Sequence, residues 1–373
     1  MSQSKKSMTR RTALKYVGGA GISAAAAYLA ACAPVAAPTS APAPTSAGAP
    51  TSAPAPTSAS AASGTIAVYS ALNESTNNQF VAAFKAANPG LDVSVLPLAA
   101  AGELQTRIRT EKASPKADIF IGGSSEFHDP LGKEGLTVAY QSPNASSVDA
   151  KYKEPTGLWT GWYLGIFGFV FNTDRLAKEI AGKKPATWDD LLDPMWKGNL
   201  VLPDPVKTGG GYIFLATQVF RFNRDEAKAM DFMKKLHANI AQYIATSPQA
   251  IQLVGQGQFV GAPNWSHDIL TAKGQGQPVD LAVPSDTGFE IGAVSIVKGG
   301  PNTEGAKKFV DWVLTKEAGE LNVKLSNRLS VRADVPPAPG APTLESVKLV
   351  EYDRQWASDN KDRLLKAWQA AIA

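Results

Sequence analysis

Cysteine is almost missing from this chain. Of 373 residues only Cys32 is one, so no disulfide framework can staple the fold and no thiol pair can carry redox chemistry. Missing too is an apolar run long enough to cross a bilayer. The uncharged stretch from Tyr16 to Tyr28 is short and rich in Ala and Gly, whereas about 30 Å of hydrocarbon calls for a longer apolar helix. Acidic residues are absent from positions 1–31, which carry Lys5, Lys6, Arg10, Arg11 and Lys15; the remainder holds 32 basic against 33 acidic residues. The excess positive charge therefore belongs to the N-terminus, and the main compositional hint of a nucleic-acid partner disappears with it. The short signatures of hydrolytic and nucleotide chemistry are absent as well: no Gly-x-Ser-x-Gly elbow, no His-Glu-x-x-His and no phosphate loop ending in Gly-Lys-Ser/Thr. Ser266, His267 and Asp268 contain the letters of a catalytic triad, but neighbours in sequence cannot converge as nucleophile, base and orienter.

The N-terminus has a different logic. A basic segment, a mildly apolar stretch and Leu29-Ala30-Ala31-Cys32 read as a signal peptide over residues 1–31 that ends in a lipidation site at Cys32. Thr9 to Lys15 resembles a twin-arginine export signal, departing from it at Ala13. A diacylglycerol thioether on Cys32 supplies more than one acyl chain, enough to anchor an exported protein to a membrane where one chain binds only marginally. From Ala33 to Ser63 the chain is almost wholly Ala, Pro, Thr and Ser, and Pro38–Ala49 recurs as Pro50–Ala61 with Ser60 in place of Gly48. Such a segment buries no core and favours polyproline II; residues 32–63 read as a tether that reaches on the order of 90 Å when extended.

Residues 64–373 suffice for one large domain or two ordinary ones. Thr65–Tyr69 reads as a buried strand, a helix begins near Asn73 and stops at Asn88-Pro89-Gly90, and Leu91–Leu96 resumes as a strand. A helix over Leu104–Glu111 and a strand over Ala117–Ile121 complete a βαβαβ order, which implies a mostly parallel sheet. The long apolar strand Leu164–Phe171 breaks that rhythm. A second region follows, with a strand at Leu200–Leu202 and helices at Tyr212–Phe222 and Asp225–Ala238; Ile291–Val297 is a strand, and Leu344–Ala373 reads as mostly helical. The expected architecture is α/β with two lobes, lobe 1 spanning about 64–165 plus part of 290–373 and lobe 2 about 172–290.

Several stretches carry a family likeness: Ile66-Ala67-Val68-Tyr69-Ser70-Ala71, Lys116-Ala117-Asp118-Ile119-Phe120, Phe169-Val170-Phe171-Asn172-Thr173, Pro185–Leu191 and Gly305–Trp312. In this order, from Thr65 to about Trp356, they resemble the extracellular solute-binding proteins of bacterial ABC importers. The closest likeness is to the ferric-iron-binding-like family and its relatives that bind phosphorylated organic compounds. The resemblance implies a periplasmic-binding-protein type 2 fold, a ligand cleft between lobes and crossover strands as hinge. It also implies a monomer that needs no cofactor or metal, is not an enzyme, and passes its solute to a membrane permease. Iron-binding members carry adjacent tyrosines where this chain has Trp265 and Ser266, which disfavours iron; His267-Asp268 and Glu290 look like the pattern of sugar-phosphate and organophosphate binders.

The residues themselves point the same way. Ligands of open α/β sheets bind beyond the carboxyl ends of strands, where loops lead into helix N-termini. Three such loops are rich in small polar residues: Ser70 with Asn73, then Ser124 and Ser125, then Thr208, Gly209 and Gly210. Each offers hydroxyls and backbone N–H groups to an anion, although helix capping explains any one of them alone. His267, Asp268 and Glu290 suit phosphate and sugar hydroxyls, and Trp265 can cover an apolar ring face, with Ser266 beside it. The simpler alternatives are a solvated helix start for His267 and Asp268 and an exposed position for Glu290. Trp162 is placed near the crossover as a further cleft residue, core packing being the alternative for it, Trp159 and Tyr163. His128 and His237 read as surface residues. A ferric-ion, unphosphorylated-sugar or polyamine receptor and an exported hydrolase remain the alternatives to an organophosphate receptor.

Overall fold

The computed structural model describes residues 63–98 and 101–373. The signal peptide, Cys32 and all but the last residue of the tether lie outside the described residues.

The chain opens with β1 (Gly64–Ser70), α1 (Glu74–Ala87), β2 (Leu91–Pro97), α2 (Ala101–Thr110), β3 (Ile119–Ser124) and α3 (Ser125–Lys133). β1 is paired in parallel with β2 on one side and β3 on the other, as the βαβαβ order requires. After the short β4 (Thr137–Val138) comes β5 (Thr160–Asn172), thirteen residues that are all buried. A strand enclosed on both faces reads as an unbroken apolar run, which Thr160-Gly-Trp-Tyr-Leu-Gly-Ile-Phe-Gly-Phe-Val-Phe-Asn172 very nearly is.

The second region contributes α4 (Thr173–Glu179), β6 (Leu200–Pro203), α5 (Gly209–Arg221), α6 (Glu226–His237), β7 (Ile240–Ile244), α7 (Ser247–Gly255), β8 (Gly261–Trp265), α8 (Ser266–Gly274) and β9 (Val279–Ala282). The chain returns through β10 (Phe289–Val297), α9 (Thr303–Val313), α10 (Lys316–Ser326) and β11 (Leu329–Ser330), and ends in α11 (Arg354–Asp359) and α12 (Lys361–Ile372). Strand order is β2-β1-β3-β10-β5-β8-β6-β7. β5 belongs to both halves. Its first part pairs antiparallel with β10 and β11, and from Phe167 onward it pairs with β8 and β9.

Each half has its own core. In the first, Phe84 packs on Phe309 and Trp312 of α9, with ring centroids 5.1 and 5.6 Å away. In the second, Phe167, Phe169, Trp188, Trp196 and Phe214 are fully enclosed. This is the two-lobed α/β fold that the sequence implied, with β5 crossing between the lobes.

Some details differ from the sequence reading. β10 enters antiparallel beside β3, so the sheet is mixed. From Leu344 the chain is not helical until Arg354, because the Lys348 carbonyl and the Val350 N–H bond to the Thr287 backbone instead. His128 is not a surface residue. It is wholly buried, stacked on Phe120 at 3.9 Å and hydrogen-bonded through Nδ1 to Ser295 Oγ at 2.7 Å; burial drives its pKa down to about 3. His237 is half-buried, its Nδ1 2.9 Å from the Tyr243 hydroxyl.

Candidate ligand-binding cleft

A cleft of about 1060 Å³ opens between the two halves. Its walls are helix N-termini, because the strand order places the carboxyl ends of β1, β3, β6, β7 and β8 around one opening. Asn73 caps α1 by accepting the Thr76 N–H at 2.8 Å, and Thr208 caps α5 by accepting the Gly211 N–H at 2.8 Å. Thr246 caps α7 in the same way, accepting from Gln249. Ser124, at the N-terminus of α3, makes no side-chain cap bond and faces the cleft. Gly123 before it has φ +74°, and a Cβ there would lie 2.3 Å from Ala101 Cβ, so the turn that exposes Ser124 needs glycine. Gly209 and Gly210 do similar work opposite. A Cβ on Gly210 would meet Ser247 Oγ at 2.9 Å and Trp265 Nε1 at 3.0 Å, and one on Gly209 would come within 3.2 Å of Phe127 across the cleft. Four helix dipoles thus direct positive ends and N–H groups into one space, which suits an anion.

The floor of the cleft lies at the crossover. Tyr163 on β5, Glu290 on β10, Asp268 on α8 and Arg328 meet there. Glu290 pairs in register with Gly165, where a Cβ would stand 2.9 Å from both Glu290 Oε1 and His267 Cε1; the missing side chain is what lets carboxylate and imidazole share the place. Burial pushes the Glu290 carboxyl up to about 8, with Arg328 opposing the shift and Asp268 and Glu126 reinforcing it. Burial also raises Asp268, against the pull of Arg328, and drives His267 well below its ordinary value. Arg328 reaches this floor because Asn327, in the left-handed region at φ 55°, ends α10 and turns the chain into β11, whose Leu329 pairs with Leu164. The Asn327 side chain holds that turn by donating to Thr271 Oγ1 at 2.9 Å.

Of the residues singled out from sequence, Asn73, Ser124, Thr208, Gly209, Gly210, Trp265, Asp268 and Glu290 line the cleft together. Ser70 does not. Its hydroxyl donates to Asn77 Oδ1 at 2.7 Å and accepts from Leu72 N–H, so it shapes the β1–α1 turn. Ser125 and Ser266 are buried beside the cleft without lining it. His267 stands behind the floor, stacked on Trp265 at 5.9 Å, with Nε2 3.6 Å from Asp268 Oδ1 and neither ring nitrogen hydrogen-bonded among the described residues. Trp162 is core, edge-on to Phe80 at 5.4 Å, and leaves the cleft to its neighbour Tyr163.

The sequence reading missed Arg328, Lys361 and the Thr246–Ser247 turn. Thr246-Ser247-Pro248 was legible as a capped helix start with proline in its first turn. Arg328 and Lys361 carried no local signal, since they lie far along the chain and arrive by packing. Lys361 sits over the Phe127 ring at 3.8 Å, and burial lowers its pKa to about 8.

Comparison with known proteins agrees with this geometry. A profile of the bacterial extracellular solute-binding proteins matches residues 114–354. An uncharacterized protein of Haemophilus influenzae is 34% identical over 72% of this chain and 79% of its own length. A putative 2-aminoethylphosphonate-binding periplasmic protein of Salmonella typhimurium is 25% identical over 74% and 82%. Among solved structures, the periplasmic binding protein AfuA of Actinobacillus pleuropneumoniae, with fructose-6-phosphate bound, superposes with a TM-score of 0.77 at 32% identity, covering 82% of this chain and 98% of that one. Iron-bound HitA of Pseudomonas aeruginosa shares the fold at a TM-score of 0.73 over 83% of this chain and 99% of its own, but with 18% identity. The chain belongs to the bacterial extracellular solute-binding protein family, as the binding component of an ABC importer, and stands closer to the family's organophosphate binders than to its iron binders.

Proposed function

We propose that the protein captures a sugar phosphate or a closely related organophosphate in the cleft and hands it to its permease. The observation that carries this reading is the convergence of the α1, α3, α5 and α7 N-termini on one space whose floor holds Asp268, Glu290 and Arg328. The helix ends suit a phosphate, and the floor suits hydroxyls. The relatives that bind fructose-6-phosphate and 2-aminoethylphosphonate support the same ligand chemistry. Trp265 and Ser266 replace the phenolates a ferric ion would need. In this reading the protein acts by binding rather than turnover, as the solute-binding proteins that it resembles support. In the cell it is exported, anchored through lipid on Cys32, and works as a monomer.

The test is thermal unfolding of the purified protein with sugar phosphates, phosphonates, inorganic phosphate, ferric citrate, free sugars and polyamines. A ligand at about 100 times its dissociation constant adds about 2.7 kcal/mol, a shift of several degrees. A shift with phosphorylated compounds is expected. A shift with ferric citrate alone overturns the reading, and release of phosphate from a sugar phosphate overturns the assignment as a non-enzyme.

A further inference from the structure

The floor of the cleft has a charge pattern that bears on which organophosphate fits. Two carboxylates alone would attract an ammonium head as readily as hydroxyls. Here they are not alone. Arg328 lies against the Tyr163 ring, 4.8 Å from its centroid, and its charge is felt by Tyr163, Asp268 and Glu290 together. Yet no nitrogen of Arg328 comes within 4.0 Å of either carboxylate, and its enclosed Nε has no partner among the described residues. Guanidinium and carboxylates therefore face the same space without bonding each other. The groups around them come from every packed element: Tyr163 from β5, His267 and Asp268 from α8, Glu290 from β10, Glu126 from α3, and Arg354 from α11.

We propose that Arg328 sets the specificity of this site: its positive charge faces the same space as the carboxyl groups of Asp268 and Glu290, so the floor takes an uncharged, hydroxyl-bearing head and disfavours an ammonium. The inference rests on the organophosphate reading and sharpens it to polyhydroxylated phosphates over aminoalkylphosphonates.

The chemistry is that of donor and acceptor inventory. A hydroxyl donates to a carboxylate and accepts from a guanidinium at once, so a polyol can bridge groups that do not reach each other. An ammonium only donates, leaves the guanidinium without an acceptor, and adds a second positive charge beside it. Burial holds Glu290 toward its protonated form at neutral pH, so it adds little charge to favour the ammonium. Hydrogen bonds to charged groups in an enclosed site are the strong ones, so losing the bridge is costly.

Calorimetric titration of the full protein with fructose 6-phosphate, 2-aminoethylphosphonate and inorganic phosphate tests this directly. Fructose 6-phosphate is expected to bind at least about tenfold tighter than either other probe. In Arg328→Met it should weaken by about tenfold or more, while 2-aminoethylphosphonate holds or gains affinity. Arg328→Lys should keep the discrimination against the amine and lose part of the hexose affinity, because an ammonium retains the charge without the planar fork. Fructose 6-phosphate binding that is unchanged in Arg328→Met, or an equal loss for both organic probes, overturns the role of Arg328 while leaving the organophosphate reading intact. Tighter binding of 2-aminoethylphosphonate by the unaltered protein overturns the inference without any variant. Binding of none of the three overturns the organophosphate reading, and the inference falls with it.

Discussion

At the scale of single residues, Glu290 is a carboxyl group whose environment on the cleft floor departs far from water. Folded, it keeps its proton up to about pH 8; unfolded, it loses it near 4.5. Between those values the folded state holds the extra proton, so stability falls as pH rises. His267 works in the opposite sense lower down: its ring is buried neutral, and stability is lost as pH drops through the unfolded value of 6.5. From about pH 6.5 to 8 the histidine contribution has faded and the falling Glu290 slope remains, with Asp268, also raised by burial, acting in the same sense. Denaturant midpoints of the ligand-free protein should fall across that window, and Glu290→Gln should flatten the fall. An unchanged slope in the variant would remove Glu290 as its source.

At the scale of elements, β5 is the piece on which both lobes are built, and Asn172 is where it is secured. Its Oδ1 accepts the N–H groups of Asp174 and Arg175 at 3.1 and 3.0 Å, capping α4, while its Nδ2 donates to the Val254 carbonyl at 3.0 Å. Asn172→Ala removes the cap and leaves buried backbone groups without their partner, an expected loss of about 2–3 kcal/mol. Asn172→Ser keeps a capping hydroxyl and forfeits the bond to Val254, so in urea denaturation it should fall between the unaltered protein and the alanine variant. A loss of under about half a kilocalorie in the alanine variant would show that water replaces both bonds. The cleft would then be aligned by strand pairing alone.

At the scale of the whole molecule, the C-terminal helices bear on how the cleft moves. Leu364 and Trp368 of α12 belong to the core of the second lobe. Lys361 of α12, however, lies on Phe127, Asp359 of α11 pairs with Lys133, and Arg354 of α11 reaches Glu126, all three partners being on α3 of the first lobe. The α11–α12 pair thus joins β5 as a connection between lobes. Closure around a ligand takes place at such connections, where a few residues absorb the backbone change. X-ray scattering should show a smaller radius of gyration with saturating sugar phosphate than without it, and identical curves would mean that this receptor binds without closing.

What the sequence alone determined follows from local chemistry. The expectation of a lipidated tether rests on residues 1–63 alone; the alternation of apolar runs with capped helices foretold the α/β fold, and small polar residues after strands marked the loops at Asn73, Ser124 and Thr208 that line the cleft. Glycines were harder to weigh: the sequence marked Gly209 and Gly210 but not Gly165, whose missing Cβ matters only because Glu290 and His267 meet over it. Tertiary structure alone decided which candidates face the cleft. Ser70 and Trp162 turned inward because Asn77 and Phe80 lie where they can take them, and His128 was buried by Phe120 and Ser295. Arg328 and Lys361 reached the cleft over long sequence separations, through the register of β11 on β5 and the packing of α12 against α3. Such positions have no local signature, because the free energy that places them comes from contacts with residues far away in the chain.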